Sequence, residues 1–180
     1  MRAATSVCTI MLSGLSAIPA DAQTDWPRVE AFAGYSFLPA GGDDFPRRDS
    51  HGVQASVAVN LSRWFGVAGE VGAHFSETSD LGPGFPGVTA ETSVYELLGG
   101  PRFTARLPRA ALFGHALVGQ VIGRSSLSGF EDSGFAMAGG GGVDVALRPR
   151  LGLRVQVDVI GTFADIVENN ARLAVGVVLH

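Results

Sequence analysis

The stretch LGLRVQVDVIGTF, Leu151 to Phe163, alternates between large apolar residues and mostly polar or small ones. Leu151, Leu153, Val155, Val157, Val159 and Phe163 fall on one side, with Gly161 the only small member. Arg154, Gln156, Asp158 and Thr162 fall on the other, together with Gly152 and Ile160. A period of two marks a β-strand with one apolar and one polar face. With its polar face outward, such a strand belongs to a soluble sandwich or barrel. With its apolar face outward, its solvent is lipid.

The pattern recurs over the chain. Segments 28–38, 52–61, 65–75, 94–105, 112–125, 135–147 and 171–180 join 151–163 to give eight candidate strands of roughly ten residues. That length crosses a bilayer when the strand is tilted. An even number of antiparallel strands also closes on itself with both termini on one side. Closure removes the edges, whose unpaired backbone groups lipid could not satisfy. The segment 112–125 is apolar on both faces, and its register is open: Phe113 suits the outer surface, whereas His115 on the same face suits an interior.

Composition points the same way. Charged residues make up only 17% of the 180, and the net charge is −4, against roughly 25% charged in soluble domains. All 13 basic residues are arginine, and no basic cluster speaks for a nucleic-acid partner. Residues 1–22 read as an export signal: Arg2, an apolar centre from Val7 to Ile18, and Ala20-Asp21-Ala22 as a small-x-small cleavage site. Residues 23–180 then form one barrel domain. The single cysteine, Cys8, lies in the signal, so neither disulfides nor thiol chemistry is expected after cleavage.

The connections alternate in length. Pro39–His51, Ser76–Ala90, Ser125–Gly134 and Ala164–Asn170 are long or moderate, whereas Ser62–Trp64, Arg106–Ala110 and Arg148–Arg150 are tight. Long loops on one side and short turns on the other are the layout of bacterial outer-membrane barrels. The polar faces are rich in Gly and Ala, which a narrow lumen needs if it is to hold a few long side chains. Glu30, Gln54, Glu70, His74, Glu96, Arg102, Asp144, Arg154, Gln156, Asp158 and Arg172 then form a polar network in that lumen. On the apolar faces, aromatic residues gather at strand ends. Tyr35, Phe37, Phe75, Tyr95, Phe135 and Phe163 lie near the loops, and Trp26, Trp64, Phe65 and Phe103 near the turns, as interface girdles do.

The blocks VEAFAGYSFL, ASVAVNLSRWFGVAGEVGAHF, LLGGPRF, AMAGGGGVDVAL, LRVQVDVIGTF and NNARLAVGVVL, in that order, resemble the small bacterial outer-membrane β-barrel domain proteins. These are eight-stranded relatives of outer-membrane protein A, and the resemblance covers nearly all of 27–179. It implies an all-β, antiparallel, up-and-down closed transmembrane barrel in the outer membrane. It also implies outer-membrane lipid and lipopolysaccharide as surroundings and the barrel-assembly machinery as a partner during insertion. The end of the chain departs from the family, which usually finishes in an aromatic residue; here Leu179 and His180 stand last.

Signs of chemistry are sparse. His74-Phe75-Ser76-Glu77 resembles the His-x-Ser of outer-membrane lipid A deacylases, in which a histidine activates a serine. The asparagine that usually follows is Glu77 here. Gly139 to Gly142 lacks the Lys-Ser/Thr of a phosphate loop and leads into a strand, so close packing against a bulky neighbour or strong local coiling of the sheet is the better account. No metal site and no cofactor are expected. The reading is a monomeric, non-enzymatic barrel with a structural or surface-interaction role. A small passive pore is the alternative, and a lipid A hydrolase using His74 and Ser76 stands third.

Overall fold

The computed structural model describes residues 26–40, 48–78, 90–125, 131–162 and 169–180. The expected export signal 1–22 and the interface aromatic Phe163 lie outside them. Eight strands follow in chain order: β1 (Val29–Ala40), β2 (Arg48–Asn60), β3 (Phe65–Thr78), β4 (Ala90–Arg106), β5 (Ala110–Ser125), β6 (Glu131–Arg148), β7 (Leu151–Thr162) and β8 (Asn169–Leu179). Each pairs antiparallel with its predecessor, and β8 closes on β1 from Ala31–Leu179 to Phe37–Leu173. The pairing is staggered. From Ala31 it passes through Val57, Gly69, Gly99, Val118, Met137, Gly161 and Asn169, and the β8–β1 register returns it to β1 about ten residues along. A tilted sheet can close only with such a stagger.

The strands outrun the alternating pattern at the loop end. β2, β4 and β6 begin at Arg48, Ala90 and Glu131, four residues before Gly52, Val94 and Phe135, where the period of two starts. The added residues are mostly polar or small on both faces, so no alternation betrays them. Their partners across the ladder, such as Leu38 for Ser50 and Ser76 for Thr92, still complete the backbone hydrogen bonds.

The faces divide as membrane burial requires. Along β7, Leu153, Val155, Val157 and Val159 are 40–52% exposed, while Arg154, Gln156, Asp158 and Ile160 are at most 3% exposed. The other strands do the same, with Val53, Val57, Val71, Leu97, Val118, Val145, Leu173 and Val177 all outward. A continuous apolar outer surface of this kind is foreign to soluble monomers and is the normal surface of a transmembrane barrel.

Aromatic rings bound this band. At the turn end Trp64 stacks on Phe103 at 6.0 Å, and Phe65 tilts against both. At the loop end Phe75 meets Tyr95 edge-on at 6.3 Å, Tyr35 and Phe37 gather about His51, and Phe135 is half-exposed.

Candidate functional site in the barrel lumen

Side chains from every second position point inward and fill the lumen in layers. The layer nearest the turns is built on Glu30 of β1 and Asp144 of β6. Glu30 accepts from Arg102 (2.8 Å), Arg106 (2.8 Å), Arg154 (3.3 Å) and Asn60 (2.9 Å). Asp144 accepts from Nε and Nη2 of Arg154 at 2.6 and 2.7 Å, a bidentate pair, and from Arg102 at 3.4 Å. The guanidiniums of Arg102 and Arg154 lie over the Phe113 ring at 4.2 and 4.4 Å, and Arg154 also faces Phe32 at 5.1 Å. The charges are thus capped by aromatic faces as well as by carboxylates.

The next layer turns on Arg172 of β8. It donates to Asp158 of β7 and Glu96 of β4, both at 2.6 Å, and to Glu70 of β3. Gln156 bridges Glu70 at 3.1 Å and Asp158 at 2.8 Å, and Gln54 donates to Glu70 at 2.6 Å. His115 Nε2 lies 2.8 Å from Asp158 Oδ1. The first layer sets Arg102, Arg106 and Arg154 against Glu30 and Asp144; the second sets Arg172 against Glu70, Glu96 and Asp158. An excess of positive charge therefore faces an excess of negative charge along the axis. Toward the loops the filling turns apolar, with Leu38, Leu98, Leu117, Val121, Ala136 and Ile160 in one cluster.

Every lumen residue expected from the sequence is buried here, none more than 5% exposed. The open register of the fifth segment is decided for the interior. Phe113 and His115 both point inward, and the outer position considered for Phe113 is taken by Leu112 at 48% exposure. Ser36, Asn60, Thr104 and Leu117 are further lumen residues that the sequence did not single out. The glycine run on β6 makes the space: a Cβ on Gly142 would stand 2.9 Å from the Phe113 ring, and one on Gly140 would strike Asp158.

His74 does not hydrogen-bond to Ser76. His74 Nε2 instead meets Ser36 Oγ of β1 at 2.9 Å, with Nδ1 3.8 Å from Glu96 Oε1. Serine, histidine and carboxylate stand in the order of a hydrolytic triad, but Nδ1 of His74 makes no hydrogen bond to Glu96. Ser36 is wholly buried. Among the described residues no cluster of His, Cys, Asp and Glu has the arrangement to hold a metal ion.

A closed eight-stranded barrel with an apolar outside and a charged, filled inside defines the class: a small transmembrane β-barrel. The chain matches the outer membrane protein beta-barrel domain family over residues 8–179 and belongs to it. It is a protein of the bacterial outer membrane. Its fold is similar to Neisserial surface protein A (TM-score 0.69, 11% identity, 85% of this chain and 97% of that one). It is also similar to Ail, the attachment invasion locus protein of Yersinia pestis, solved with the heparin analogue sucrose octasulfate (0.61, 15%, 84% and 96%). A major outer membrane protein of Thermus thermophilus shares the fold at 0.52 and 13% identity, over 83% of this chain and 98% of that one. No curated protein matches the sequence.

Proposed function

We propose that this protein is a non-enzymatic barrel whose lumen is sealed by its own side chains, and whose task falls to the four longer connections presented outside the cell. One observation carries the reading: Arg172 is tied to carboxylates on three other strands, β3, β4 and β7, across the full width of the interior. Eight strands enclose a space that side chains alone can fill. Buried charges in such a space are tolerable only when paired, so the ties hold the interior in one arrangement. A barrel of this kind anchors what its strands join. It works as a single copy in contact with lipopolysaccharide at the loop end and has used the barrel-assembly machinery to insert.

Conductance in planar bilayers tests this. Purified protein is expected to give no unitary steps at neutral pH. Discrete steps that persist after repurification would replace the sealed anchor with the small pore.

A further inference from the structure

We infer that the turn end of the barrel is a binding surface for anionic phospholipid headgroups. Arg28, Arg63, Arg109, Arg148 and Arg150 are all exposed there, so that every turn carries at least one arginine. Among the described residues no acidic side chain is exposed beside them. The acidic side chains Glu30 and Asp144 at this end point into the lumen and are already held by guanidiniums. The longer connections at the other end are acid-rich by sequence, with Asp43, Asp44, Asp80, Asp165 and Glu168 among them.

The neighbours of these arginines select the partner. Leu61, Leu107 and Leu147, one at each turn, are 57–65% exposed, and Trp64 follows Arg63 directly at 62%. Leucine and tryptophan at the level of the arginines place the turns within the membrane interface rather than above it. There an arginine lays its aliphatic stem along the apolar surface and carries its fork to the phosphate plane. A hydrated wall polymer or an acidic protein has no use for the leucines; a phospholipid uses both. The turns are also built to hold these side chains outward. Ser62 Oγ accepts from the Phe65 amide at 3.0 Å, the Arg63 carbonyl accepts from Arg106, and Leu107 N donates to Ala110 O at 2.8 Å. In outer-membrane barrels the short turns face the periplasm, so the lipid concerned is in the inner leaflet.

The test places the folded full chain in phosphatidylcholine vesicles containing a minor fraction of spin-labelled phosphatidylglycerol or spin-labelled phosphatidylcholine. Electron paramagnetic resonance then reads the motionally restricted fraction of each. Phosphatidylglycerol is expected to be enriched roughly fivefold at low salt, the preference that one interfacial cation supports, and less so in molar salt. In R63Q/R109Q/R148Q/R150Q, which leaves only Arg28 on this surface, the preference should fall sharply, while the corresponding lysine variant keeps most of it. Should the quadruple variant not fold, R148Q/R150Q alone must reduce the enrichment. Equal restriction of both lipids by the wild type, or a preference untouched by the glutamines, would overturn the proposal. So would arginine-dependent sedimentation with purified peptidoglycan in the absence of a lipid preference.

Discussion

Arg172 donates to three carboxylates and has no charged rival in its layer, so its removal strands three buried anions at once. Breaking one partner out of a buried ion pair costs about 3–5 kcal/mol, because the remaining charge is left without solvent or partner. Arg172→Leu is therefore expected to lower the free energy of unfolding by at least that amount, read from urea titration in lipid vesicles. Arg172→Lys should recover only part of it, since a point charge cannot reach three acceptors as a planar fork does. A loss below about 1 kcal/mol would show that the network stabilises little. Residues of this kind were legible in the sequence because a charge opposite a run of valines has only the lumen to occupy. Phe113 was not. An aromatic side chain suits an interface girdle as well as an interior, and only the guanidiniums of Arg102 and Arg154, arriving from β4 and β7, decide for the interior.

At the level of the strand, β7 shows how little the pattern leaves to chance. Its burial alternates without exception from Gly152 to Ile160. Val157 stands mid-strand on the outer face, 52% exposed. An arginine at the bilayer midplane of a barrel costs roughly 2–4 kcal/mol. Val157→Arg is thus expected to lose that much stability in vesicles, while Val157→Leu changes it by less than about 1 kcal/mol. Equal tolerance of both would mean that this face does not meet lipid. β6 reads differently. Its glycines weaken the alternation, because their purpose lies on neighbouring strands: Gly142 admits Phe113 and Gly140 admits Asp158. Strand ends were equally hidden, for beyond the apolar band the backbone pairs on without any preference for one face.

For the molecule as a whole, closure is the condition of its stability in lipid. The β1–β8 ladder joins Ala31–Phe37 to Leu173–Leu179 and leaves neither strand with an open edge. Without β8, β1 and β7 would expose unpaired backbone groups to hydrocarbon, each at a cost of several kcal/mol. A chain ending at residue 168 is expected to fail to insert into vesicles, shown by the loss of the heat-sensitive gel mobility of a folded barrel. Retention of that mobility would mean that the remaining strands close without it. The amino-acid sequence by itself determined the number of strands, the face that all but the fifth turn to lipid, and most of the charges that lie inside. Those follow from a local period of two and from a solvent that excludes charge. Tertiary structure alone decided which charges meet, as with Arg172 and Glu70, 102 residues apart. It also decided that His74 meets Ser36 and not Ser76, and that the turn arginines form one basic end. These depend on the stagger of the closed sheet, which brings distant strands to one level and is written in no single strand.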